Sequence, residues 1–482
     1  MIIPKLATIV SLLCLVSTSY AIPQKKEKDF KHVLLISIDG LHQVDVDVFT
    51  KANPESTIAK LLKNGVYFKK ARTSLPSDSF PGLLAQLTGG SPATTGVWYD
   101  DAWDGTYFAP GSKCNGTAGY NTVWDESLDM DPKAVVTTLN ETALPLRKFK
   151  GKCEKVQPYQ FLRVNTIFEV AKKHGLVTAW SDKLPAYSIV RGPSGKGVDD
   201  LFVPEINGVN KTDTKAVEGY DTLHINAVLN WINGLKADGS SFSVPAIFGA
   251  NFQSISVTQK AIGAGYKDAA ATPSDALVGA FKFVDDALKK FVDALKKKDL
   301  ENSTIIILSA KHGQSPIDIT KLKKISAKLL SAQVGDDKIN QLTTDDVALF
   351  WLKDHKDSKE AAEKLRANAT TLGITTVYEG SSLKEQFGCE PTKDTRCPDI
   401  AIKTNVGVIY TTSATKIAEH GGFNEDDIHV PIIVSNPSIS AKVDSSSVDT
   451  RSIAPFILSV FGINPHELEA VVKEKTETLP VF

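Results

Sequence analysis

The chain carries almost no net charge. Across 482 residues, 55 Lys and Arg stand against 56 Asp and Glu, a formal −1. No global field therefore directs it to a nucleic-acid polymer or an anionic membrane surface. Cysteine is scarce, with five in all, and none of their spacings is that of a zinc knuckle. Long apolar runs are also missing. LATIVSLLCLV, just after Lys5, is too short to span a bilayer, and no later run approaches that length. No membrane span is expected. Internal repeats and long low-complexity linkers are absent too, which leaves one domain with insertions as the simplest organisation.

What remains is the composition of a globular chain, 42% hydrophobic and 23% charged. Met1–Ala21 combines Lys5, the short apolar run and a small-x-small ending, Ser19-Tyr20-Ala21. That is the layout of a cleaved secretory signal, so residues 1–21 are expected to be removed and residues 28–470 to form a secreted, extracellular domain. Cys14 departs with the signal, leaving Cys114, Cys153, Cys389 and Cys397. Four cysteines allow three pairings; proximity favours Cys389–Cys397 and, by elimination, Cys114–Cys153. Asn115, Asn140, Asn210, Asn302 and Asn368 begin N-x-S/T sequons, so a glycoprotein with two disulfides is expected.

Apolar runs alternate with helical patterns through most of the chain, which predicts an α/β fold: a mostly parallel central sheet with helices on both faces. HVLLISID (32–39) and TIIILS (304–309) are apolar without alternation, as strands covered on both faces are. SFPGLLAQLTGG (79–90) predicts a helix with Ser79 as N-cap, Pro81 in the first turn and Gly89-Gly90 as its stop. Residues 319–400 read as an inserted, cap-like subdomain. AIKTNVGVIYT (401–411) and HVPIIVSN (429–436) are predicted strands, and 451–463 a closing helix.

The chemistry sits at the ends of these elements. Asp39 follows the first strand, and a carboxylate at a strand's carboxyl end is a good hard ligand for a divalent metal; its bland reading is a turn or cap. Ser79 at a helix start faces the positive end of the dipole, which favours a phosphoryl group; its bland reading is a plain N-cap. His312 and His420 each precede a glycine after a predicted strand, and histidine is both metal ligand and general acid.

ISIDGL (36–41), TSLPSDSFPGLLAQLTGGSPATTG (73–96), VDDALKKFVDALKKKDLENSTIIILSAKHG (284–313) and AEHGG (418–422) occur in that order. With them the chain resembles the type I phosphodiesterase/nucleotide pyrophosphatase family of the alkaline phosphatase superfamily, over most of residues 30–465. The resemblance implies two-metal phosphoryl transfer. It makes Ser79 the nucleophile, Asp39 and His312 ligands of the metal beside it, and His420 a ligand of the second metal.

The departures are as informative. Lys311-His312-Gly313 stands where the family has Asp-His-Gly. Ser256 and Lys260, or Ile255 and Gln259 with a shift of one, fall where the family has an Asp and a His. Asp100 aligns with an Asn that would bond phosphate. The metal near Ser79 keeps Asp39, Ser79 and His312, and the other keeps only His420 unless Glu419, Asp100 or Asp101 moves in. A zinc ordinarily has three or four protein ligands, so Zn2+ or another divalent metal is expected at fewer than two ions, down to none. Lys311 is expected to pair with Asp39 in place of a metal, able to bind phosphate or sulfate or to lower the pKa of Ser79. Two readings follow. The favoured one is a secreted hydrolase of small phosphate esters with Ser79 and Lys311 at its catalytic site. The alternative is a metal-depleted, non-catalytic homologue that binds an anionic ligand.

Overall fold

A computed structural model describes residues 30–482; the expected signal, residues 1–21, lies outside the described residues. In chain order the strands used here are β1 (His32–Ile38), β2 (Gly65–Arg72), β3 (Thr178–Ser181), β4 (Asp200–Phe202), β5 (Ile247–Phe252), β6 (Thr304–Ser309), β7 (Ile339–Thr344), β8 (Val347–Leu352), β9 (Ile374–Glu379), β10 (Ile400–Thr404), β11 (Ile432–Ser435) and β12 (Lys442–Asp449). Eight of them form the central sheet in the order β12-β2-β11-β6-β1-β5-β3-β4. All pairings are parallel except the two made by β11.

Both faces of this sheet are covered, which is why its strands lack alternation. Val33 and Leu35 of β1 pack with Ile305 and Ile307 of β6 in one apolar core. Leu34, Ile36 and Ile38 pack with Ile306 and Leu308 in the other. The first core is closed by α1 (Ser79–Thr88), every residue of which is buried. The second is closed by α2 (Thr214–Ile232) and α3 (Asp275–Lys297). The α3 helix places Phe281, Leu288 and Leu295 on one stripe, at the spacing an amphipathic helix requires.

A second, antiparallel sheet, β7-β8-β10-β9, carries its own apolar core around Leu330, Phe350, Leu365 and Ile402. The Lys323–Ile325 strand pairs with Val408–Tyr410, so this block closes beyond residue 400. The stretch 401–411, expected to be one strand, breaks at Gly407, whose φ of 87° only glycine adopts readily. The serine-rich β12 was not expected at all; at the sheet edge most of its residues are exposed, so it carries no apolar signature.

Both disulfides, Cys114–Cys153 and Cys389–Cys397, are formed. Asn115, Asn210, Asn302 and Asn368 are exposed and Asn140 half-buried. Among the described residues no helix is long and apolar enough to cross a membrane.

Candidate active site

The carboxyl ends of β1, β5, β6 and β3 meet the start of α1, and there Asp39, Ser79 and His312 converge. Register alone sets part of this: Ile38 lies beside Phe252, and Ser37 beside Asn251 and Ser309. Asp39 follows β1 directly and is fully buried. Its Oδ1 accepts from Asn251 Nδ2 at 2.7 Å, and its Oδ2 from Gln253 Nε2 at 2.7 Å.

Ser79 is the first residue of α1 rather than its N-cap, a correction to the sequence reading. Asp78 takes the capping role, accepting from the Phe80 N–H at 2.9 Å. The Ser79 hydroxyl is therefore left for other partners: Asp39 Oδ2 at 3.2 Å and His312 Nε2 at 3.1 Å. The His312 Nδ1 is 2.7 Å from the Gly313 carbonyl oxygen, which can only accept. The ring proton therefore sits on Nδ1, and Nε2 presents a lone pair to the serine O–H.

Two tethers hold α1 in place. Gln86 donates to the Ala310 carbonyl at 2.8 Å. Gly82 lies so close to Lys311 that a Cβ there would come within 2.2 Å of its carbonyl oxygen.

Two lysines enter this cluster, and the one expected beside Asp39 is not the one found there. Lys311 does not pair with Asp39; its Nζ is 2.7 Å from Asp182 Oδ1, with both side chains fully buried. It also lies 4.1 Å from the centre of the Tyr187 ring, a cation–π contact. Burial pushes Lys311 below its ordinary value and Asp182 above, each countered by the other's charge.

The cation that reaches Asp39 is Lys183, just beyond β3, which sequence reasoning passed over. Its Nζ stands 3.0 Å from Ser79 Oγ, 3.3 Å from Asp39 Oδ2 and 3.4 Å from Gln253 Oε1. Burial alone would raise the Asp39 carboxyl, but Lys311, Lys183 and His312 hold it well below the ordinary value. For Lys183 burial pulls downward, and Asp39, Asp182 and Asp78 more than offset it, so the ammonium is raised. The signal was legible: LVTAWSDK ends in an acid–lysine pair at a strand's carboxyl end, as the first strand ends in Asp39.

His420 stacks on His312, ring centres 3.8 Å apart, instead of facing a separate ligand set. Its Nδ1 is 3.9 Å from Asp78 Oδ1 and has no hydrogen-bond partner. Burial, then its neighbours His312, Lys260 and Lys183, push it well below the ordinary histidine value. Ser256 donates to Gln314 Oε1 at 2.8 Å. Lys260 and Lys416 both bind Glu419, which is thereby held at about 2 although burial alone would raise it. Asp101 accepts from Gln341 of β7. Burial, then Asp78 and Asp345, push Asp100 well above the carboxylate range.

The family that the sequence resembles is typically divalent-metal dependent, and the donors here match such a centre poorly. Around Asp39, Ser79 and His312 the next position is taken by an ammonium, not a fourth ligand. Around His420, Glu419 is committed to its lysines and Asp101 to Gln341, while burial with Asp78 and Asp345 disfavours the charged form of Asp100 that a metal would need. Among the described residues no three His, Cys, Asp or Glu side chains are arranged to hold a metal. The residues do not fit a two-zinc centre.

A cavity of about 630 Å³ opens over this cluster. Ser79, Lys183 and His420 line it, with Leu184, Val257 and Ile262 as an apolar wall and Lys211 at its border. A groove of about 780 Å³ elsewhere, at Thr304 and Asn436, lies at the opposite end of β6 and holds no nucleophile–base pair.

The sequence profile of type I phosphodiesterase / nucleotide pyrophosphatase matches residues 33–425. No curated protein sequence matches. Solved structures do. Murine ectonucleotide pyrophosphatase / phosphodiesterase 5 superposes with a TM-score of 0.61 at 14% identity, covering 90% of this chain and 96% of that one. An inactive variant of the murine protein in complex with AMP gives the same values. The human counterpart gives 0.59 at 14% identity, covering 90% and 95%. At that identity the likeness establishes the fold, a mostly parallel sheet between helices of alkaline phosphatase type.

Proposed function

The chain belongs to the type I phosphodiesterase / nucleotide pyrophosphatase family, and from that premise we propose that it is a secreted phosphate-ester hydrolase with Ser79 as nucleophile. The observation that carries the reading is the Ser79 Oγ–His312 Nε2 contact of 3.1 Å, with the imidazole oriented by its bond to Gly313. That is a nucleophile hydrogen-bonded to a positioned base.

In the first step Ser79 gives its proton to His312 Nε2 as Oγ bonds to phosphorus. The bond from phosphorus to the leaving oxygen breaks, and that oxygen takes the proton from His312. In the second step water gives a proton to His312 and attacks phosphorus. The Oγ–P bond breaks, and Oγ recovers the proton. The phosphoryl group lies at the positive end of α1, where negative charge is favoured. The leader-like sequence of residues 1–21 and the two disulfides support export. The ligand class is a small phosphate ester; AMP, bound by an inactive form of the murine relative, is a reasonable first probe.

One observation favours the second reading, a non-catalytic homologue that binds an anion: lysine ammonium groups stand where metals would be clamped. Hydrolysis of bis-(p-nitrophenyl) phosphate separates the two. The mature protein is expected to hydrolyse it and Ser79→Ala to lose at least about 10³-fold in rate. Equal rates for the two forms refute the nucleophile, and no turnover by wild type leaves the binding protein.

A further inference from the structure

We infer that the Lys183 ammonium is the resident cation of this site, standing where the fold would seat a divalent metal, and that the cavity takes a phosphate group without a metal ion. The inference deepens the hydrolase reading, but its binding half stands without catalysis.

Three hydrogens of one ammonium meet three oxygens here: Ser79 Oγ at 3.0 Å, Asp39 Oδ2 at 3.3 Å and Gln253 Oε1 at 3.4 Å. The first two are the oxygens that would clamp a metal beside the nucleophile. A divalent ion bonded to both would lie within about 4 Å of Nζ, and like charges so close in a sheltered pocket repel strongly. Asp182, its neighbour in the chain, does not draw Lys183 away, being already held by Lys311 at 2.7 Å and by the Trp180 N–H at 3.0 Å. Leu184, with φ at 50°, turns the chain immediately after it. Nor is the position a surface accident. The Lys183 side chain is only 16% exposed, and that fraction faces the cavity that Ser79 lines.

The consequences are specific. A phosphate at Ser79 Oγ would meet Lys183 directly and take over the N–H now spent on the long 3.4 Å contact to Gln253 Oε1, so the lysine both offsets Asp39 and binds ligand oxygen. It would act as a fixed charge of the kind a metal supplies in phosphoryl transfer. Of the other cations at the cavity, Lys260 and Lys416 are bound to Glu419, and Lys211 donates to Asn207 Oδ1 at 3.1 Å.

The test uses the mature full-length protein stripped with EDTA and titrated calorimetrically with inorganic phosphate, then separately with zinc chloride. Phosphate is expected to bind in EDTA, and zinc not to bind stoichiometrically. Lys183→Met should weaken phosphate binding about tenfold or more, while Lys183→Arg restores part of it. Lys183→Gln serves if the methionine variant does not fold. Phosphate binding that needs zinc, or that is unchanged in both Lys183→Met and Lys183→Gln, overturns the assignment. Phosphate binding that depends on Lys183 in a protein with no esterase activity upholds it and refutes the Ser79 reading instead.

Discussion

Replacing Gly82 by alanine tests how the nucleophile helix is seated. Gly82 lies inside α1 with ordinary helical backbone, so propensity alone would make alanine stabilising by about 1 kcal/mol. Packing opposes this. A Cβ at 82 would stand 2.2 Å from the Lys311 carbonyl oxygen and 2.8 Å from its carbonyl carbon. Relief requires α1 and the end of β6 to part by about 1 Å, and no side-chain rotation can provide it, because the obstacle is backbone. That backbone is pinned: Thr73 donates to the Lys311 carbonyl at 2.5 Å and Gln86 to the Ala310 carbonyl at 2.8 Å. Overpacking of this kind costs about 1–3 kcal/mol, and the rigidity of the contact places the net effect on the destabilising side. The same displacement stretches the 3.1 Å Ser79–His312 contact, and a misplacement of about 1 Å can cost about 10²-fold in rate. Melting temperature and hydrolysis of bis-(p-nitrophenyl) phosphate are measured for Gly82→Ala beside Gly279→Ala. Gly279 lies in α3, where an added Cβ would meet nothing within 4 Å, so that control should be stabilised by up to about 1 kcal/mol. A Gly82→Ala protein as stable as the control, with an undiminished rate, would refute the reasoning.

Two buried carboxyls give pH effects of opposite sign. Glu419 is held at about 2 against an ordinary 4.5, its burial outweighed by Lys260 and Lys416. A depressed folded value lends stability above pH 4.5 that is lost as pH falls toward 2, here about 3 kcal/mol. Glu419→Gln should lower the melting temperature at pH 7 and flatten acid unfolding between pH 4.5 and 2; an unchanged acid profile counts against the ion triad. Asp129 is pushed up to about 8, by burial first and then by the neighbouring Glu205. A raised folded value means stability that is full below pH 3.8 and drains away as pH rises toward 8. Asp129→Asn, always neutral, should therefore melt higher than wild type at pH 8 and differ little at pH 4, which thermal scans at the two pH values decide.

Much of the architecture follows from runs of apolar residues. TIIILS has no polar alternate position, so it must be covered on both faces, and β6 is. The break after it places His312 just beyond the carboxyl end of a strand, where ligands bind, and SDSFPG starts a helix beside it. Local sequence settles these matters because burial and helix termination act on neighbours along the chain. The capping residue escaped because Asp78 and Ser79 are both good caps, and only the packing of Ser79 against Asp39 and His312 decides which does so. Strand β12 escaped because an edge strand with solvent on most of its residues needs no apolar pattern.

What the sequence by itself determined is a set of groups at the ends of its elements: Asp39, Ser79, His312, His420 and Lys311. Which lysine serves which acid was decided only in three dimensions. Lys311 is on the strand next to β1 yet reaches Asp182, while Lys183 reaches Asp39 past the tip of β5. Sequence distance carries no information on such a choice. It is made by strand order, by the length of two side chains, and by the requirement that every charge removed from water find an opposite one.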